Sequence, residues 1–370
     1  MAAKDVGVSR PTCVVVLAAG EGTRMRSSRP KPLHHLCGRP MVLYVLDAVT
    51  QEEVRAMVVV VGHGATWVEK ALTDRARADV HLTFVEQSEQ LGTGHAVAVA
   101  LPTIHDEIGA LDGDVLIVPG DAPLLRARTI AALLAQHRES LAALTILTAI
   151  VDDPSGYGRI IRAKDATVTR IVEERDANAD ERAILEINTS IMVVREDLLG
   201  PALRRVDRKN TQNEYYLTDL VAVLRDAGHR ANAMVLTDSL EATGVNDRAQ
   251  LAAAEAVLRG RINERWMQRG VTMWDPAHTY VDADVELSPE VSLLPGTVLK
   301  GRCVIGRGAQ IGPNANLTDV SVGENARIGA IEAMGARVGA DSVVPSFVVL
   351  APGAHVGDGE VVAPFEHRTR

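Results

Sequence analysis

Excess charge of one sign, long apolar runs and pairable cysteines are all missing from this sequence. Lysine and arginine number 39 against 48 aspartates and glutamates, a net charge of −9 with no long block of either sign. That balance leaves no electrostatic footprint for nucleic acid, and an anionic ligand would need local cations or a metal. Apolar runs such as Val14–Ala19 are far too short to cross a bilayer, and the first ten residues hold no stretch of signal-peptide length. No membrane partner and no export are therefore expected. Three cysteines, Cys13, Cys37 and Cys303, stand far apart without metal-ligand spacing and cannot all pair. A reducing cytoplasm is the location these absences favour. What is present is ample: 370 residues, 46% of them hydrophobic, exceed the usual length of one domain and suggest two.

Up to about residue 260, short β-rich runs alternate with helical stretches, the pattern of a mostly parallel sheet covered by helices. Cys13–Leu17, Met57–Val61, Val80–Val85 and Val115–Val118 read as strands; Met41–Val49, His95–Leu101 and Thr129–His137 carry apolar residues at helical spacing. Leu251, Ala254, Leu258, Ile262 and Trp266 then recur at three- and four-residue steps, so one amphipathic helix is expected over 247–268. Beyond it the period changes. Val281, Leu287, Leu293, Leu299, Ile305, Ile311 and Leu317 stand six apart; after a slip, Val322 and Ile328 keep the step. Val338, Val344, Leu350, Val356 and Val362 resume it beyond a segment, Gly329–Gly335, that reads as irregular. The fifth position of each hexad is compact: Val285, Val291, Thr297, Cys303, Ala309, Ala315, Ser321, Ser342 and Ala354. Short strands ending in tight corners, stacked turn upon turn, satisfy both constraints.

Directly after the first strand comes Leu17-Ala18-Ala19-Gly20-Glu21-Gly22-Thr23-Arg24-Met25, with Pro30-Lys31-Pro32-Leu33 soon after. Strand, glycines, then cations is a phosphate-binding order. Glycines let backbone N–H groups approach phosphate oxygens, and Arg24 and Lys31 could neutralise a departing pyrophosphate. The third glycine of the dinucleotide fingerprint and the Gly-Lys-Ser/Thr ending of a P-loop are both missing, so neither reading fits. Taken alone the stretch could equally be an exposed basic loop. Pro119-Gly120-Asp121 follows Val115–Val118, placing Asp121 at a strand's carboxyl end, where open α/β sheets bind ligands and where aspartate is also a common turn residue. Gly92-Thr93-Gly94 at a helix start could be no more than a cap.

The longer match narrows these alternatives. Residues 17–41, with Pro-Lys-x-Leu-His and Gly-Arg-Pro-Met, resemble the signature of sugar nucleotidyltransferases, particularly the bacterial N-acetylglucosamine-1-phosphate uridylyltransferases. The resemblance implies a Rossmann-like nucleotidyltransferase domain over 1–246. It also implies nucleotide contacts from Leu17, Ala18, Ala19, Gly20 and Gly22, with Arg24 and Lys31 as the catalytic cations. In Glu86-Gln87-Ser88-Glu89-Gln90-Leu91-Gly92-Thr93-Gly94-His95, the residues Gln87, Gln90, Gly92 and Thr93 inherit the uracil. Asp121, with Asn246 of Thr243-Gly244-Val245-Asn246-Asp247, inherits Mg²⁺, which suits a metal that takes few protein oxygens beside phosphate oxygens. Gly158, Glu173 and Asn188 inherit the acceptor sugar. His34 and His35 are expected to pack or cap rather than react. Two departures from the family pattern stand out: Ser190 replaces the glycine that usually follows Asn-Thr, and Pro119 occupies a position that is commonly aromatic or small and polar.

The hexads resemble the hexapeptide-repeat, left-handed parallel β-helix family, which supplies the handedness. A linker helix over 247–270 and a truncated β-helix over 271–370 follow, with a homotrimer as the assembly implied. Family members with this solenoid usually also transfer acetyl groups. Here Ala351, in Ser346-Phe347-Val348-Val349-Leu350-Ala351-Pro352-Gly353, replaces the substrate-binding arginine, and the later coils are not found, so loss of acetyl transfer is expected. His355, His367 and Arg368-Thr369-Arg370 read as a solvated tail. The substrates implied are UTP and a sugar 1-phosphate. The readings left open are a different base or sugar, a non-catalytic regulatory subunit, and a pure acetyltransferase.

Overall fold

The computed structural model describes residues 10–50, 54–62, 64–74, 81–108 and 113–369. Two compact units emerge: Met1–His34 with Pro40–Gln250, and His35–Arg39 with Leu251–Arg370. No helix among the described residues is long and apolar enough to cross a membrane.

The first unit is built on a nine-stranded sheet. Its strands are β1 (Thr12–Ala18), β2 (Val54–Val61), β3 (Leu82–Glu86), β4 (Asp114–Pro119), β5 (Leu144–Ile150), β6 (Arg159–Arg162), β7 (Val168–Val172), β8 (Glu186–Arg195) and β9 (Ala231–Val235). The order is β9-β5-β8-β4-β1-β2-β3, with β6 pairing β8 and β7. β1 pairs in parallel with both β2 and β4, and β8 runs antiparallel to β4 and β5. The near-continuous apolar runs of β1, β2 and β4 follow from burial on both faces. Alternate residues enter different cores: Cys13 and Val15 join Ala96, Val97, Ala100 and Ile104 of helix Thr93–Ile108. Val14 and Val16 join Val42, Val45, Leu46 and Val49 of helix Met41–Val49, and Ile130, Leu133 and Leu134 of helix Ala127–Ser140.

The expected elements are present, with altered ends. Val80 lies outside the described residues. The helix expected over His95–Leu101 begins at Thr93 and continues through Pro102 to Ile108. Its apolar face, Ala96, Val97, Ala100 and Ile104, is fully packed, and that burial outweighs the one backbone bond proline forfeits.

The second unit is a parallel β-helix. Inward-pointing residues stack coil upon coil in three ladders. Leu293 lies on Ile311, Ile328 and Val344; Leu299 on Leu317, Ala333 and Leu350; Leu287 on Ile305, Val322, Val338 and Val356. All are buried. Each large member contributes roughly 1.5–3 kcal/mol of transfer free energy, enough to fix the register of strands only two or three residues long.

Three expectations are corrected here. Gly329–Gly335 is not irregular: Glu332–Met334 is a strand, and Ala333 fills the inward position with a side chain too small to register in a search for large aliphatics. Ser321 is exposed rather than a corner residue, because the slip after Leu317 moves the corner to Val320, which is fully buried. The supposed solvated tail is structural in part. His355 lies in a strand paired with Arg337, and His367–Arg368 pairs with Val349–Leu350. Arg368 bonds Glu360 at 2.6 Å, Glu366 at 2.9 Å and the His355 carbonyl at 2.8 Å. Arg370 lies outside the described residues.

Corners of this unit repeat one device. Asn314, Asp319 and Asn325 take left-handed φ values of 55°, 54° and 56°. Their side-chain oxygens lie 2.2–2.5 Å from where a Cβ on Gly296, Gly301 or Gly308 would stand. Glycine on one coil is thus required by the left-handed Asn or Asp on the next.

Candidate active site

In the first unit the chain leaves β1 toward β2 on one side, and β4 lies on β1's other side, so a topological switch point forms at the carboxyl ends of β1 and β4. A cavity of about 510 Å³ opens there. Gly120 N–H donates to the Leu17 carbonyl at 2.8 Å, drawing the two strand ends together.

Leu17, Ala18, Ala19, Gly20, Arg24 and Lys31 all line the cavity. A Cβ on Gly20 would meet nothing within 4 Å, whereas one on Gly22 would lie 2.7 Å from Lys31 Cβ. Gly22 has φ 62° and does not line the cavity; it shapes the turn that seats Lys31. Arg24 is exposed at the rim.

Lys31 organises the centre. Its ammonium group donates to Asp121 Oδ2 in a short ion pair and to Asn246 Oδ1 at 2.8 Å. The lysine and aspartate side chains are 13% and 25% exposed, so the pair is sheltered yet reachable from the cavity. Asp121 is also tied to the loop that carries Asn246, because Val245 N–H donates to its carbonyl at 2.9 Å. Asn246 is seated by Gln250, whose Oε1 accepts the Asn246 N–H at 2.7 Å while Asp247 Oδ1 accepts the Gln250 N–H at 2.8 Å. This resembles a capping box, and its Asp-x-x-Gln spacing at a helix start was the unused sequence signal for Gln250. Deeper support comes from Glu241, buried at 2% exposure, which accepts from Thr129 Oγ1 at 2.6 Å and Arg126 N–H at 3.1 Å.

Gln87, Gln90, Gly92 and Thr93 line the same cavity. Gln87 is buried and spends its amide nitrogen internally, 3.1 Å from the Gly92 carbonyl and 3.0 Å from His95 Nδ1. Its carbonyl oxygen is the end left for a ligand. Gly94 N–H donates to Tyr215 O, Tyr215 N–H to Leu91 O, and Leu217 N–H to Thr93 Oγ1. A Cβ on Gly92 or Gly94 would stand 2.6 or 2.9 Å from the Tyr215 carbonyl, which is why glycine is needed at both. Gly62, not anticipated, is similar: its missing Cβ lets the end of β2 approach the Ala19 carbonyl and Gln90.

Asn188 also lines the main cavity, while Glu173 lines an adjoining lobe of about 170 Å³ that shares Leu17, Thr93, Ser190 and Glu214 with it. Gly158 lines neither; its carbonyl accepts the Asn188 N–H at 2.8 Å, and a Cβ there would stand 3.4 Å from Glu173 Oε2. Burial pushes the Glu173 carboxyl above its ordinary value; the Thr218 hydroxyl, bonded at 2.9 Å, opposes this, and Asp219, Asp176 and Glu214 add to it. Tyr157, another unanticipated lining residue, is raised by burial and by Asp121, against a hydrogen bond from the Gly244 backbone. His34 stays outside the cavity, buried beside Arg248 at 3.3 Å.

Among the described residues no group of three or more His, Cys, Asp or Glu is placed to hold a metal. The donor set instead fits a cation shared with a ligand. Asp121 Oδ2 and Asn246 Oδ1 converge on one point, where the Lys31 ammonium stands in for a cation; one carboxylate and one carboxamide oxygen suit Mg²⁺ completed by phosphate oxygens and water.

A mostly parallel sheet with a glycine loop, a lysine and a carboxylate at its switch point defines a nucleoside triphosphate transferase domain, and residues 14–190 match the family profile of the MobA-like NTP transferase domain. The bifunctional protein GlmU of Brevibacillus brevis is 44% identical over 351 residues, covering 95% of this chain and 74% of that protein. Its namesakes from Streptomyces avermitilis and Thermobifida fusca are 45% identical over 349 residues and 46% over 334, covering 94% and 90% of this chain and 71% and 68% of their own. The chain belongs to the GlmU family.

Proposed function

We infer that this chain joins UTP to N-acetylglucosamine 1-phosphate, releasing pyrophosphate and forming UDP-N-acetylglucosamine. The observation that carries this reading is the convergence of Lys31, Asp121 and Asn246 at the switch point, in a cavity that also holds the Gln87, Gln90 and Thr93 edge and Asn188.

The acceptor's phosphate is ionised near neutral pH, so no protein base is required for its oxygen to attack the α-phosphorus. One P–O bond forms and the α–β bridge bond breaks, with both electrons leaving on pyrophosphate. Catalysis is then positioning and charge neutralisation. Gln87, Gln90, Gly92 and Thr93 hold the uracil edge. Backbone N–H groups from Leu17 to Gly20 meet the phosphates, and Lys31, released from Asp121 as the triphosphate enters, pairs with phosphate oxygens beside Arg24. Glu173, Asn188 and the Gly158 backbone orient the acceptor sugar. When bound at Asp121 and Asn246, Mg²⁺ would supply neutralisation of charge shared between the reacting phosphates.

Ala351 supports a chain that no longer transfers acetyl groups. A thiol assay with acetyl-CoA and glucosamine 1-phosphate is expected to stay at background, and coenzyme release would overturn this. The solenoid's stacked coils support a homotrimer, which light scattering tests. Three free thiols support a cytoplasmic location, which fractionation tests. For the main reading, the purified chain with Mg²⁺, each nucleoside triphosphate and a panel of sugar 1-phosphates should release pyrophosphate fastest with UTP and N-acetylglucosamine 1-phosphate. Faster turnover with another pair reassigns the substrate, and none with any pair removes the enzyme assignment.

A further inference from the structure

Strand β8 breaks its register where it meets the cavity. Asn188 pairs with Thr148 and Ile191 with Leu147, so Thr189 and Ser190 bulge out between them. The bulge is closed from inside: Thr189 Oγ1 donates to the Leu147 carbonyl at 2.7 Å, and Ser190 N–H donates to Asn188 Oδ1 at 3.1 Å. Ser190 takes φ 63°, a left-handed conformation for which glycine is the default. A side chain standing there against that preference calls for a use.

That use is indicated by position. Ser190 lines both the main cavity and the lobe holding Glu173, so it stands where the two join. Its hydroxyl has no hydrogen-bond partner among the described residues. The amide nitrogen of Asn188 likewise has none, its oxygen being engaged by Ser190. A free hydroxyl and a free carboxamide N–H two residues apart on one bulge face the space between the triphosphate end and the Glu173 end. A hydroxyl that both donates and accepts, next to an obligate donor, matches the vicinal hydroxyl and acetamido groups of a hexosamine better than it matches phosphate oxygens, which only accept.

We propose that Ser190 is a specificity-determining residue for the acceptor, hydrogen-bonding a polar substituent of the sugar ring beside Asn188. This rests on the uridylyltransferase reading above. Ser190→Ala keeps the Cβ and the strained backbone but removes the hydroxyl; Ser190→Gly removes both; Ser190→Asn tolerates the left-handed conformation and restores a donor and an acceptor. The acceptor KM should rise about three- to tenfold in the alanine and glycine variants. Their preference for N-acetylglucosamine 1-phosphate over glucose 1-phosphate should fall in proportion, with the UTP KM unchanged and partial recovery in the asparagine variant. Melting temperature separates this from a structural role, since Ser190→Gly should melt no lower than wild type while its KM rises. Unchanged acceptor KM and preference in Ser190→Ala would overturn the proposal, as would an equal rise in UTP KM. Wild-type protein that releases no pyrophosphate would sink the uridylyltransferase reading itself.

Discussion

The two units handle unusual backbone in opposite ways. In the β-helix, left-handed residues recur at successive corners: Glu290, Asn314, Asp319, Asn325 and Asp341 each turn the chain, and several stack their side-chain oxygens over a glycine of the neighbouring coil. In the α/β unit, Gly22, Gly92, Gly156 and Ser190 gather around a single cavity or the lysine at its centre, while Leu141, Ala166 and Gly228 close ordinary turns away from it. Repeated strain is architecture, closed by its own hydrogen bonds. Clustered strain, with polar groups left unpaired beside it, marks a binding site.

That contrast is sharpest at Asp121. Asp121→Ala should lower kcat for pyrophosphate release by about a thousandfold or more, because one carboxylate is asked to organise both the cation and Lys31. The melting temperature should change little. A variant retaining most activity at ordinary Mg²⁺ would place the clustered residues on the architectural side of the comparison.

At the far end of the same sheet a second polar cluster provides the control. Asp114, fully buried, lies 3.0 Å from Arg138 Nε and 3.5 Å from His137 Nε2, and His137 bonds Thr145 at 2.9 Å. Burial alone would raise the Asp114 carboxyl, but the nearby His137 ring and the Arg138 hydrogen bond hold it below its ordinary value. A depressed carboxyl contributes stability above its unfolded value near ~3.9, and the contribution is lost as pH falls through the folded value. Asp114→Asn should therefore cost roughly 3–5 kcal/mol at neutral pH and flatten the acid limb of stability below about pH 4. Chemical denaturation across pH checks this, and kcat/KM of the folded fraction should be unchanged.

The smallest effect belongs to the solenoid. A Cβ on Gly308, at φ 71°, would stand 2.5 Å from Asn325 Oδ1. Gly308→Ala should cost about 1–3 kcal/mol in thermal unfolding and leave nucleotidyl transfer intact. An activity loss there would blur the division between the units.

How much was legible follows the same division. Large aliphatics six apart announced the coils, yet Ala333 was invisible because alanine carries too little apolar surface to mark a period, and Ser321 was misplaced because a one-residue slip moves every later corner. In the α/β unit the strand–loop–cation order singled out Lys31, and the end of the Val115–Val118 strand singled out Asp121; the two side chains pair across the cavity. What motif order could not reveal was the support beneath them: Glu241 anchors the stretch leading to Asn246 on Thr129 and Arg126, far away in sequence, and Tyr157 joins the cavity lining from another loop. Gly22 and Gly158 illustrate a subtler limit. Neither lines the cavity, and each shapes a neighbour that does or that adjoins it, a role that motif spacing alone does not separate from direct contact.

The most direct test is a crystal of the whole chain soaked with UTP and Mn²⁺, using the anomalous signal to find the metal. One peak shared by Asp121 and Asn246 is expected, with the Lys31 ammonium withdrawn from between them onto the phosphates. Triphosphate density elsewhere, or a Lys31–Asp121 pair left undisturbed by bound nucleotide, would contradict that expectation.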